Sequence, residues 1–185
     1  MTRNHPFRIT ACAFGVAALL ASAGCTGQHS RSTVQNDDTP EAPKVAMVSS
    51  LAMNAPSAPG QLMKGFGALE NGQWRWAAGG FSVKLKTPSG ASEKGATLSL
   101  ALSVSDAVLK QVQSQMLTAS VGGQKLGSET YTQSGAHVFK ADMPTSVLTG
   151  DSLTIDFALD HPLPPSASDR RELGVIVSSV GIESK

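Results

Sequence analysis

The sequence predicts an all-β fold, an antiparallel β-sandwich of about eight strands with one short helix, and three observations carry that prediction. From Gly65 onward, apolar and polar residues alternate with period two in run after run. Clusters of Gly, Pro, Ser and Asp separate the runs. Only Ser105 to Met116 has helical spacing instead. Short strands closed by turns, without repeated strand–helix units, point to a sandwich and not to a parallel α/β sheet.

Taken in order, the first element is an export signal. Arg3 and Arg8 form a positive start, Ile9 to Leu20 is almost wholly apolar, and Ala21-Ser22-Ala23-Gly24-Cys25 follows. The apolar run, about 12 residues, is too short to cross ~30 Å of hydrocarbon as a helix. Residues 1–24 therefore read as a signal peptide. Cleavage before Cys25 would leave that cysteine N-terminal for lipidation, as in bacterial lipoproteins, whose lipobox Ser22 to Cys25 resembles. Ser22 stands where a leucine is usual. Ordinary cleavage after Ala23 is the alternative, since Ala21-Ser22-Ala23 is an A-x-A site. Cys12 falls inside the apolar run and reads as signal filler.

Residues 25–64 read as a lipid-anchored flexible linker. Gln35 to Pro43 is polar and proline-broken, and Asn54 to Gly60 repeats that character. Such a segment buries too little apolar surface to offset its chain entropy. As a coil of about 40 residues it spans roughly 35 Å, enough to lift a domain off a membrane.

Residues 65–185 are the sandwich domain. Gln73 to Trp76 alternates. Phe81, Val83 and Leu85 share one face, and Leu98, Leu100, Leu102 and Val104 repeat the pattern. Leu117, Ala119 and Val121 lead into Gly122-Gly123, a hairpin signal, and a second run extends from Gln124 to Tyr131. His137 to Ala141 is short, Leu153 to Leu159 alternates strictly, and Leu173 to Ile182 is longer. Between Leu102 and Leu117 lies the exception, where Val108, Leu109, Val112 and Met116 fit a helix with Ser105 or Asp106 as N-cap.

Charge and cysteine usage narrow the function classes. Removing residues 1–24 takes away Arg3 and Arg8 and no acid, leaving 13 of the 15 basic residues against 14 acidic ones. No concentrated basic face is visible, so nucleic acid is not an expected partner. Cys25 is then the one cysteine left, so no intramolecular disulfide is available and the fold rests on its apolar core.

Two motifs bracket the domain: Phe66-Gly67 through Glu70-Asn71-Gly72 to Trp74-Arg75-Trp76, and Asp169-Arg170-Arg171-Glu172-Leu173-Gly174-Val175. Together they resemble a small bacterial β-sandwich module found beside glycosyltransferases and in stand-alone envelope proteins. That module is similar to jelly-roll, galactose-binding-like and carbohydrate-binding domains. The resemblance covers about Gly65 to Ser184 and implies a jelly-roll fold more than an activity. No transferase is attached here, and the Ser105 to Met116 segment is longer than the module's pattern.

Five residues are candidates for ligand binding: Trp74, Arg75, Trp76, Asp169 and Glu172. Trp74 and Trp76, two apart on a strand, face the same way. Exposed, they would stack on sugar rings; buried, they would be core fillers. With two Trp, one Tyr and six Phe in the chain, large fillers are scarce and core is the expected role. Arg75 would then point to the other face and pair with Glu172 or Asp169, as a structural ion pair or as a clamp on sugar hydroxyls.

Asp156, Asp160, His161 and Asp169 surround the Pro162 to Pro165 loop, but without the spacing of a Ca²⁺ site, so no metal is expected. No cofactor is expected either. No G-x-S-x-G or H-E-x-x-H motif marks a catalytic site. The expectation is a non-catalytic envelope lipoprotein held to the membrane by lipid on Cys25 and binding a glycan. An adaptor that docks another envelope protein is the alternative. A hydrolase would need a pocket of convergent polar groups. Thr26, in place of a retaining aspartate, favours the outer membrane where a cell has two; without lipidation the protein would be periplasmic or secreted.

Overall fold

The computed structural model describes residues 46–185. The expected signal peptide, Cys25 and the first part of the expected tether lie outside the described residues. The elements in order are β1 (Ser50–Ala52), α1 (Ala58–Gln61), β2 (Leu62–Glu70), β3 (Trp74–Lys86), α2 (Ala91–Lys94), β4 (Ala96–Val104), α3 (Asp106–Val112), β5 (Gln115–Val121), β6 (Gln124–Tyr131), β7 (Gly135–Met143), a 3-10 turn (Thr145–Val147), β8 (Ser152–Leu159) and β9 (Val175–Ser184). All strand pairs are antiparallel.

The pairing order is β6-β5-β8-β3-β9-β4-β7, with β1 added to β9 and β2 to β3. β3 joins the two layers. Its start, Arg75 to Ala77, pairs with β9, and after Gly79-Gly80 the stretch Gly80 to Lys86 pairs with β8. One layer is thus β7-β4-β9 with the first half of β3, and the other is β6-β5-β8 with its second half. The far edges meet where Gly127 of β6 lies against Ala141 and Phe139 of β7; a Cβ at Gly127 would stand 3.3 Å from that of Ala141.

Alternation builds the core. On β4, Ala96, Leu98, Leu100, Leu102 and Val104 are buried, while the residues between them are half-exposed. Leu153, Ile155, Phe157 and Leu159 of β8 do the same from the opposite layer. A one-residue slip in register would turn each set into solvent, forfeiting about 1.5–3 kcal/mol per large aliphatic side chain. Phe81 stacks on Phe157 with ring centroids 4.8 Å apart and meets Phe66 edge-on at 5.3 Å. At the β5–β6 turn, Gly122 and Gly123 have φ of 57° and 85°, the paired left-handed conformations of a two-residue type I′ hairpin.

Two boundaries differ from the sequence expectation. The tether does not extend to residue 64. Leu51, Met53 and Ala58 are fully buried, and β1 pairs with β9 from Ser50↔Gly181 to Ala52↔Ser179. The buried Gln61 stitches this segment in: its side-chain amide donates to the Val48 and Lys84 carbonyls at 2.9 and 2.8 Å and accepts from the Val48 N–H at 3.0 Å. A three-residue strand offers no readable alternation, so this part of the chain resembles a linker by composition. The second difference is the helix, which stops at Val112. Gln113 adopts φ 65°, and β5 begins at Gln115, so Met116 lies exposed on a strand. The start agrees: Ser105 is the N-cap, its Oγ accepting from the Ala107 N–H at 3.2 Å.

Candidate functional site

The two sequence motifs meet at one end of the sandwich. β3 and β9 are neighbours, with Trp76 opposite Ile176 and Arg75 opposite Val177. Ala77, Phe81, Val83 and Leu85 of β3 point into the core. Trp74 and Trp76 have the opposite parity and occupy the outer face. Both are partly exposed, their rings 6.4 Å apart and nearly perpendicular. Neither joins the core cluster or the half-buried side chains packed on it. This corrects the expected core role. The core takes its aromatic volume from Phe66, Phe81, Tyr131, Phe139 and Phe157 instead.

Arg75 faces the other way, as its parity requires, but pairs with neither Glu172 nor Asp169. Its Nε donates to the Met53 carbonyl at 3.2 Å and its Nη1 to the Gly67 carbonyl at 3.0 Å. The two acids lie on the Trp side, in the loop between β8 and β9. Arg171 is what links the motifs: it donates to Asp169 Oδ1 and Oδ2 at 3.0 and 2.8 Å and to Glu70 Oε1 at 2.6 Å. Glu172 accepts the Gly79 N–H. The Leu163↔Leu173 bridge closes the loop, and the Gly174 N–H bonds to the Ala77 carbonyl at 2.9 Å.

Electrostatics follow from that fork. Hydrogen bonds from the Arg171 side chain, then from its backbone N–H, hold the Asp169 carboxyl down at about 2. Asp169 and Glu70 in turn raise the Arg171 guanidinium. The other acids near the loop are scattered. Asp156 lies 3.6 Å from Lys64, while Asp160 takes the Met116 N–H at 2.7 Å and sits 3.0 Å from His161. Among the described residues no group of three or more His, Cys, Asp or Glu is arranged to hold a metal.

Trp76 is a wall of two adjoining hollows. One, of about 210 Å³, lies between α3 and the loop and exposes Ser105, Gln111, Ser166, Asp169 and Arg171. The other, of about 240 Å³, is bordered by Gly67, Ala78, Arg171 and Glu172. An indole surface beside hydroxyls, an amide and an arginine–carboxylate fork is suited to a polyhydroxylated ring: C–H groups on the indole, hydroxyls on the polar rim.

No protein-family model matches the chain, and no curated protein matches it. Solved structures similar to it are carbohydrate-binding module domains. The CBM36-1 domain of a multidomain xylanase from the hindgut metagenome of Trinervitermes trinervoides matches at 14% identity and TM-score 0.40, covering 66% of this chain and 88% of that one. A CBM4 structure matches at 10% identity and TM-score 0.34, over 68% and 77%. The CBM51-2 and INT domains of Clostridium perfringens ZmpB match at 12% identity and TM-score 0.31, over 75% of this chain and 29% of that one. The fold assignment rests on the chain's own strand pairing.

Arg171, Glu70, Ser166 and Ser168 were not among the residues singled out by sequence. Arg170 and Arg171 are indistinguishable there. The available signal was that Glu70 and Arg171 each belong to one of the two bracketing motifs.

Proposed function

We propose that this chain is a non-catalytic glycan-binding lipoprotein of the cell envelope, anchored through lipid on Cys25. The observation that carries the glycan reading is the partly exposed Trp74–Trp76 pair on the outer sheet face, with Trp76 walling two hollows that also present Arg171 and a carboxylate. An aromatic pair kept off the core at some solvation cost is an expected feature of a ligand platform. Asp169, Glu172 and Arg171 supply the polar rim.

The test is a glycan-array screen of the full chain beside its Trp76→Ala variant. Binding should fall roughly two- to thirteenfold, the equivalent of ~0.5–1.5 kcal/mol of ring stacking, with the melting curve little changed. Equal binding by both would remove Trp76 from the site. Anchoring is tested separately: a labelled fatty acid should mark the parent and not Cys25→Ser.

A second reading, an adaptor that docks another envelope protein, has one observation in its favour. Met63 and Leu69 of β2 are 55% and 38% exposed, and among the described residues β2 pairs only with β3. A folded parent that binds no glycan would shift support to it.

A further inference from the structure

Three hollows on this end of the molecule share lining residues, two on the tryptophan side of β3 and one on the Arg75 side. The groove beside α3 shares Trp76 and Arg171 with the hollow beside Glu172. That hollow shares Gly65, Phe66 and Gly67 with a third pocket of about 260 Å³, walled also by Lys64 and Arg75. Glycine keeps β2 tight on β3 at this crossing. A Cβ at Gly65, where φ is 75°, would strike the Gly80 carbonyl and Phe81.

The two arginines of these hollows differ in charge balance. Arg171 is committed to Glu70 and Asp169. Arg75 is oriented by two backbone carbonyls, through Nε and Nη1, and among the described residues it forms no ion pair. Lys64 stands in the same pocket with its side chain 64% exposed and Asp156 at 3.6 Å. The third pocket therefore offers a fixed guanidinium without a carboxylate, plus a long ammonium arm able to turn toward a ligand. Its remaining walls include Leu62, Met63 and Phe66. Apolar walls around one oriented planar cation fit a ring that carries a carboxylate better than they fit a fully hydrated inorganic anion.

We infer that the hollow at Arg75 and Lys64 is a carboxylate subsite, and that the glycan recognised contains a uronic acid. The inference rests on the glycan reading above and specifies its ligand class. It places Arg75 in a ligand role on the opposite side of β3 from the tryptophans, with the carboxylate supplied by the sugar.

Calorimetry on the full chain tests it with two probes, a galacturonate oligomer and a neutral xylo-oligosaccharide, and with the variants Arg75→Gln and Lys64→Glu. The acidic oligomer should bind at least tenfold tighter than the neutral one at low salt. Each variant should cancel that preference while neutral binding persists. Lys64 is exposed, so Lys64→Glu keeps the test valid if Arg75→Gln loses its hold on Met53 and Gly67 and fails to fold. Equal affinity for both probes, unmoved by either variant, would overturn the carboxylate subsite and leave the glycan reading standing. Displacement of the acidic oligomer by equimolar inorganic phosphate would also overturn it, by revealing a general anion site. Failure of the parent to bind either probe, with the array blank as well, would instead overturn the glycan reading.

Discussion

Phe81 and Trp76 lie on one strand, five positions apart, and have opposite roles. Phe81 is fully buried between Phe157 and Phe66, whereas Trp76 stands off the core. Phe81→Ala should cost ~3–5 kcal/mol through lost transfer energy and a residual cavity. Trp76→Ala should cost about 1 kcal/mol, as expected away from the core. Urea denaturation of both variants checks the contrast, and comparable losses would return Trp76 to the core. Asp169 supplies a pH test. Its carboxyl is depressed in the folded state, so the Arg171 fork contributes above the ordinary aspartate range and is lost as pH falls toward about 2. The fork is solvent-exposed, so the stability effect is small. A carboxyl NMR titration should place the Asp169 midpoint near 2, and Arg171→Ala should move it up. At this scale the sequence assigned Trp74 and Trp76 to one shared face and Arg75 to the other, because parity is local. It could not say which face looked inward or which arginine would meet which acid.

Elements were readable in proportion to their length and regularity. β4, β6 and β8 emerge where alternation or a Gly-Gly turn announces them. The N-cap at Ser105 is readable because a hydroxyl before a helical run satisfies an otherwise free N–H. The end of α3 was less visible, since Met116 fits the helical spacing although its backbone belongs to β5. β1 and α1, of three and four residues, left no periodic trace. They nonetheless carry Leu51 and Ala58 into the core and Gln61 onto two backbone segments. A chain begun at Gly65 should therefore lose cooperative unfolding, while one begun at Ala46 should keep it. Thermal melts followed by circular dichroism distinguish them, and a sharp transition in the shorter chain would make β1 and α1 dispensable.

At the scale of the molecule, closure depends on partners far apart in sequence. Ser50 pairs with Gly181, Trp76 with Ile176, and Arg171 with Glu70. Alternation along the chain, by itself, determined that the domain is an antiparallel β sandwich and which side chains share a face. The N-terminal charges and apolar run determined the expectation of export. Only the tertiary structure decided that residues 46–64 belong to the domain, that the tryptophans face outward, and that Arg171 rather than Arg75 joins the two motifs. The physical reason is range: a two-residue period is set by backbone geometry at each position, whereas inside and outside, and the partner of each charge, exist only after distant strands have paired around one core.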